Sequence, residues 1–240
     1  MYETIAAMLK KSGNMDHKYL RAGDSRKKAV IVITSNRGLA GGYNNNIVKL
    51  VSGDPALPVE DVKLYVIGRK GRDGLARKGY EVAKDYSEVI NEPLYQDAAD
   101  LTKELLEAFG RNEIGEIYLA YTSFKNTVVH IPRLVKLLPF TMEEQTGESG
   151  ESKAQALMNY EPNPEEVLDR IIPNYMSSLI YGALLEAVAS ENGARMTAMD
   201  SATNNAEEMI GKLELQYNRA RQGSITQELT EIIAGANAIS

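Results

Sequence analysis

Past Pro164 the chain carries a single proline, Pro173, and otherwise reads as one helix to its end at Ser240. The start is well marked. Asn163 sits at the cap position, Pro164 at the first helical position and Glu166 at the third, an arrangement that satisfies amides the first turn leaves unpaired. Pro173 removes one backbone donor and is expected to kink the helix in its third turn. If unbroken, ~75 residues at 1.5 Å each give a helix roughly 110 Å long, several times the ordinary globular length. A helix of that length cannot bury its apolar stripe against one compact domain, so its periodicity has to indicate its partner. Met196, Met199, Thr203, Ala206, Ile210, Leu213, Tyr217 and Ala220 recur at alternating steps of three and four, the coiled-coil heptad rather than the straight-helix period. After a five-residue jump, Ile225, Leu229, Ile232, Ala236 and Ile239 resume the same spacing. The expected partner is another helix.

Within this seam the stretch ARMTAMDSATNNAEEMI, residues 194–210, has Ala, Met, Thr, Ser and Asn where Leu and Ile are usual. Small side chains at Ala202, Ala206 and Ala220 let two backbones come close, and methionines adapt to an uneven surface. Glycines at 182, 193, 211, 223 and 235 each cost about 1 kcal/mol relative to alanine in a helix interior. A rod built only for stiffness would avoid them; an ordinary coiled coil could use them to ease packing.

Ahead of the long helix, the chain alternates strand and helix. KAVIVIT, residues 28–34, is a β-branched run of the kind buried on both faces, and it leads into SNRGLAGGYNNN. KLYVIG at 63–68 is a second strand, followed by the helical RKGRDGLARKG. The helix over 94–110 places Leu94, Ala98, Leu101, Leu105 and Phe109 on one face and precedes a third strand, EIYLAYTSF at 116–124. Such alternation predicts an α/β fold with parallel strands and crossover helices. TVVHIPRLVKLLPF, 127–140, should pair hairpin-fashion with the preceding strand across Lys125 and Asn126, with Pro132 favouring an edge or a bulge. The acidic, Gly- and Ser-containing segment 141–153 reads as a loop. Residues 154–160 form a further short strand candidate, and residues 2–11 a short helix stopped at Gly13.

Composition excludes several function classes. With 43 % hydrophobic and 25 % charged residues the chain should pack a core, and a net charge of −6 without clustered Lys and Arg argues against nucleic-acid binding. The absence of cysteine removes disulfides, thiolate nucleophiles and Cys-based zinc sites. His17 and His130 are the only histidines, and each is read as a surface or strand residue rather than a metal ligand. No apolar run approaches the ~20 residues of a membrane span, so membrane contact is expected through a partner. Gly38, Gly41 and Gly42 follow a strand, but they fit neither G-x-G-x-x-G nor G-x-x-x-x-G-K-[ST], and the second strand ends at Gly68 instead of an acidic residue.

ITSNRGLAGGYNNNI and GARMTAMDSATNNAEEMIGKLELQYNRARQGSITQELTEIIAGANAI closely resemble the two signature regions of the gamma subunits of F-type ATP synthases. The resemblance extends over residues 2–240 and implies a Rossmann-like globular domain from which N- and C-terminal helices form an antiparallel coiled coil. It divides the chain into a remnant of the first helix at 1–12, the globular domain at 13–163 and the long coiled-coil helix at 164–240. It implies a central-stalk rotor without catalytic residues, cofactor or metal of its own. The coiled coil would turn inside the hexamer of alpha and beta subunits. The globular domain would sit on the ring of c subunits beside epsilon, at the cytoplasmic face of a bacterial cell membrane, or alternatively in an organelle. Ion flow through the ring would drive rotation, and the chemistry would belong to the beta subunits. Arg221, Gln222 and Thr226 match the residues through which the family's shaft engages the surrounding subunits; a solvated coiled-coil flank is the alternative. Tyr160 to Pro164 falls in the family's foot region near the c ring and epsilon, and the small, apolar tip EIIAGANAIS suits a shaft turning in a hydrophobic sleeve.

Three departures stand out. Only the last turns of the family's first helix, residues 2–11, are present, which leaves the seam from Met196 to Ala220 exposed and predicts a fragment or an internally started form unable to act as a complete rotor. Ala40 and Asn36 stand where many relatives have Cys and Asp, so neither is expected to be essential. The cysteine-bearing insertion of the light-regulated chloroplast form is lacking. Periodicity alone also fits a non-rotary coiled-coil scaffold.

Overall fold

The computed structural model describes residues 17–140 and 164–239. Five strands form one sheet in the order β3-β2-β1-β4-β5: β1 (Lys28–Ile33), β2 (Val62–Ile67), β3 (Glu81–Asp85), β4 (Glu116–Phe124) and β5 (His130–Leu138). The first four are parallel, and β5 pairs antiparallel with β4 as a hairpin. The helices are α1 (Tyr43–Gly53), α2 (Arg69–Ala76), α3 (Tyr95–Gly110) and α4 (Pro164–Ile239). The expected short helix at 2–11, the acidic loop, the strand at 154–160 and the cap residue Asn163 lie outside the described residues.

Alternation along the strands makes two cores. Val30 and Val32 of β1, with Leu64 and Val66 of β2, face Ile47, Val48 and Val51 of α1 and Leu75 of α2. Ala29, Ile31 and Ile33 point the other way, toward Leu101, Leu105 and Phe109 of α3 and toward Leu168, Ile172, Met176, Ile180 and Leu184 of α4. Because β1 is buried on both faces, it reads as a continuous apolar run. Leu94, placed on the buried face of α3 by its spacing, is instead 57 % exposed just before the helix, where its amide donates to Asp97 Oδ2 at 3.1 Å. Pro132 lies in β5, the edge strand, where a missing amide costs least; the pairing irregularity falls elsewhere, between Ile117 and Tyr118.

At the amino ends of the strands, the Glu116 carboxylate holds Lys28 at 2.9 Å and Lys136 at 2.6 Å, and accepts from the Tyr118 hydroxyl at 2.9 Å. One side chain thereby ties β1, β4 and β5. His17 is neither at the surface nor in a strand: it is 6 % exposed, its Nδ1 accepts from the Tyr19 amide, and its Nε2 faces Asp169 Oδ1 at 3.3 Å. A buried imidazole is retained because both ring nitrogens have partners.

The chain divides into two units, Met1–Arg195 and Met196–Ser240. In the first, the buried positions of α4, from Leu168 to Ala187, step mostly by four, the spacing of a helix lying on a sheet. Helix α4 continues across Pro173, whose carbonyl accepts from the Ser177 hydroxyl at 3.0 Å. The second unit is helical through Ile239, and it opens at Met196, where the heptad spacing begins.

Candidate functional site

Ligands of open α/β folds bind outside the carboxyl ends of the strands, where the strand order reverses, here between β1 and β4. Residues 34–36 at the end of β1 turn toward α2. Thr34 Oγ1 accepts from the Gly71 amide at 2.8 Å, the Ser35 carbonyl from Lys70 at 3.1 Å, and Asn36 Oδ1 from Arg69 at 3.0 Å. The α2 amides that a phosphate would require are thus already bonded to protein. Asn36 also donates from Nδ2 to the Ser87 carbonyl at 2.7 Å and to Asn91 Oδ1 at 3.2 Å, so it joins three segments.

The crevice itself is filled by α4. Tyr43, the first residue of α1 and 4 % exposed, donates from its hydroxyl to the Ala187 carbonyl at 3.1 Å. Ser190, fully buried, donates to the Thr122 carbonyl at 3.3 Å, and Glu186 Oε2 accepts the Phe124 amide at 3.1 Å. Arg195 pairs with Glu191 at 2.5 Å and reaches the Gly38 carbonyl at 3.5 Å. At Gly193 a Cβ would lie 2.7 Å from His130 Nε2 and 3.1 Å from the Thr127 carbonyl oxygen, so any larger residue would push the His130 ring and the β4–β5 turn away. The glycine-rich stretch after β1, with Leu39 at φ 61° and Gly41 at φ 55°, leads into a seat for a helix rather than a cofactor loop. Burial, then Glu191, push the Tyr43 hydroxyl up from its ordinary pKa against the opposing effect of Arg195, which keeps it a hydrogen-bond donor. Among the described residues no group of three or more His, Cys, Asp or Glu could hold a metal, and no helix is long and apolar enough to cross a membrane.

The sequence-derived contact residues belong to the second unit. Met196, Met199, Ile210, Leu213 and Tyr217 of the seam are 40–66 % exposed, and Thr203, Ala206 and Ala220 are also exposed. Heptad positions drift on a 3.6-residue helix by about 20° per heptad, so the seam turns by roughly 60° from Met196 to Tyr217 unless a partner imposes supercoiling. Arg221, Gln222 and Thr226 are exposed on α4; the Thr226 hydroxyl donates to the Gln222 carbonyl at 2.8 Å, and Arg221 has no ion pair among the described residues. Of the residues of the seat, Gly193 and His130 are noticed in the sequence without a role in it, and Tyr43, Glu186 and Ser190 do not stand out. The small residues Ala183, Ala187 and Ser190, at helical spacing before the heptad begins, are the signal that could have marked them. Of the five α4 glycines, only Gly193 meets a neighbour among the described residues; Gly182, Gly211, Gly223 and Gly235 meet none of them.

A family model described as ATP synthase matches residues 1–239. The chain is 65 % identical to the ATP synthase gamma chain of Lachnoclostridium phytofermentans over all of its own length and 84 % of that relative's. It is 41 % identical to the sodium-ion-specific ATP synthase gamma chain of Acetobacterium woodii, again over its whole length and 84 % of that protein. Among solved structures it resembles a chain of the Euglena gracilis mitochondrial ATP synthase, with a TM-score of 0.65, 19 % identity, and coverage of 99 % of this chain and 86 % of that one. A chain of the Tetrahymena thermophila mitochondrial ATP synthase central stalk and c ring matches with a TM-score of 0.58 and 23 % identity, covering 84 % of each. At these identities the structural matches speak to the fold.

Proposed function

This chain belongs to the ATP synthase gamma-chain family, and on that premise we propose that it is the central-stalk rotor of such a complex, coupling ion flow through a membrane ring to conformational cycling of the catalytic subunits. The observation that carries the mechanism is the contrast along α4. From Leu168 to Ala187 one apolar face of the helix is buried in the globular unit, with Leu185 on another side 47 % exposed, whereas from Met196 its apolar side chains repeat in heptads and remain exposed. Exposed Met, Ile, Leu and Tyr in heptads call for a helical partner. We assign that partner to a second helix of an antiparallel coiled coil inside a hexamer of alpha and beta subunits. Epsilon and the c ring would contact the globular unit, on the cytoplasmic face of a bacterial membrane. Arg221, Gln222 and Thr226 would engage loops of the hexamer. Exposed polar donors suit contacts that form and break on each turn, because directional hydrogen bonds are made and lost with little net change of about 1 kcal/mol each. The chain contributes shape and torque, and nucleotide chemistry takes place on its partners.

Because the chain has no cysteine, a single introduced thiol is unique within it. Gln222→Cys, cross-linked by disulfide to a cysteine on an adjacent beta-subunit loop in the assembled complex, should stop ATP hydrolysis, and reduction should restore it. Full hydrolysis with the cross-link complete would rule out a rotor and favour a static scaffold.

A further inference from the structure

The grip on α4 at the carboxyl end of the sheet has a mechanical reading that rests on the rotor function proposed above. Three separate segments converge on ten residues of one helix. The start of α1 supplies the Tyr43 hydroxyl, β4 supplies the Thr122 carbonyl and the Phe124 amide, and the β4–β5 turn supplies the Thr127 and His130 contacts at Gly193. The bonded groups on α4, the Ala187 carbonyl, the Ser190 hydroxyl and the Glu186 carboxylate, are buried or half-buried. The packing of α4 on the sheet is different in kind. Leu168, Ile172, Met176 and Ile180 make an apolar face whose contacts are non-directional, and the polar links beside it, from His17 and Lys18 to Asp169, lie near its start. Hydrogen bonds from several directions, together with a glycine notch, fix the azimuth of a helix because each has a narrow angular range.

We propose that residues 186–195 of α4, held by Tyr43, Thr122, Phe124 and the turn at residues 127–130, are the torque-bearing grip of the globular unit on its helix, with Tyr43, Glu186, Ser190 and Gly193 as positioning residues. Torque applied to the globular unit has to enter α4 where rotation of the helix about its own axis is blocked, and the cross-links supply that block. Gly193 has a specific part. Four glycines of α4 meet no neighbour among the described residues, but this one admits the turn to van der Waals distance and so keys the helix to the hairpin.

The test uses the assembled complex with its hexamer fixed to a surface and a bead on Lys103→Cys, an exposed position of α3. The readout is the angular variance of the bead during catalytic pauses. Loss of one hydrogen bond in the grip should multiply local opening about fivefold, the equivalent of roughly 1 kcal/mol. The combined variant Tyr43→Phe, Ser190→Ala and Glu186→Ala should therefore widen the variance by about twofold or more. Exchanging Glu186→Ala for Glu186→Gln, which retains an acceptor for the Phe124 amide, should recover part of the stiffness. Glu116→Gln, at the opposite end of the sheet, should destabilise the unit without widening the variance. If the combined variant fails to assemble, Tyr43→Phe alone, which keeps the buried ring, carries the same expectation at smaller amplitude. Variance equal to that of the unsubstituted chain, or widened as much by Glu116→Gln, overturns the grip. A bead that never rotates on the unsubstituted chain during hydrolysis instead overturns the rotor function itself.

Discussion

Glu116→Gln provides a quantitative check on how the sheet is held together at its amino ends. Burial alone would raise the Glu116 pKa, but hydrogen bonds from Lys136, Lys28 and Tyr118 outweigh it and hold the carboxyl down to about 2, against an ordinary 4.5. A difference of that size corresponds to roughly 3 kcal/mol before screening. The side chains of Glu116, Lys28 and Lys136 are 19, 22 and 28 % exposed, so water screens the cluster and about 1–2 kcal/mol is a fairer expectation. The folded pKa lies below the unfolded one. The stabilisation is therefore complete above about pH 4.5 and disappears as the pH falls toward 2. Glutamine leaves two lysine ammonium groups without a counter-charge. Urea unfolding of the unsubstituted chain and of Glu116→Gln, compared from pH 7 to pH 2, should show a gap of about 1–2 kcal/mol near neutrality that closes through this window. Other titrating groups cancel in the difference. A gap that does not depend on pH, or no gap at neutrality, would refute the electrostatic account of the cluster.

Other expectations concern single positions. Gly68 has φ 110°, and a Cβ there would lie 2.1 Å from the Thr34 carbonyl oxygen, so Gly68→Ala should cost about 3 kcal/mol or more in urea unfolding. Gly211→Ala, within a helix and with no neighbour among the described residues, should instead stabilise its helix by roughly 0.5–1 kcal/mol, seen as slower amide exchange around it. Asn36→Asp removes the Nδ2 donor to the Ser87 carbonyl and should cost about 1–3 kcal/mol by the same unfolding assay, a structural cost separate from the sequence expectation that the position is not essential to the mechanism. Ile210→Asp and Leu213→Asp change side chains 56 and 57 % exposed, so unfolding of the globular unit should move by less than about 0.5 kcal/mol while incorporation into a complex, measured by co-purification with alpha and beta subunits, falls sharply.

Sequence reasoning recovers the elements whose chemistry is local. Strands β1, β2 and β4 stand out as β-branched or aromatic runs because both of their faces are buried. The β4–β5 hairpin follows from two such runs across a short turn, and the long helix from Pro164 at its first position and the single proline after it. Strand β3, EVAKD, escapes notice because it is a mostly exposed edge strand whose charged residues resemble a loop. Helix α1 begins in Tyr-Asn-Asn-Asn after two glycines, and its core contacts, Ile47, Val48 and Val51, span too few turns to establish a period. The division of α4 at Arg195 is legible only in part: the heptad starts at Met196, but the four-step face ahead of it is recognisable as sheet-packing only once the sheet is known. The seat for α4 is the least legible feature. It consists of side-chain bonds to main-chain groups far away in sequence, such as Tyr43 to Ala187, whose one trace in the sequence is the spacing of the small residues Ala183, Ala187 and Ser190.

The central claim is that the globular unit and α4 turn together as a shaft while nucleotide chemistry proceeds elsewhere. Direct observation of a fluorescent or bead label on Lys103→Cys, in a complex that includes the partner helix of the coiled coil, is immobilised through its hexamer and is supplied with ATP, tests it most simply. Sustained rotation in one direction, stopping when ATP is removed, is the predicted result. A label that stays stationary while the same complexes hydrolyse ATP would contradict it.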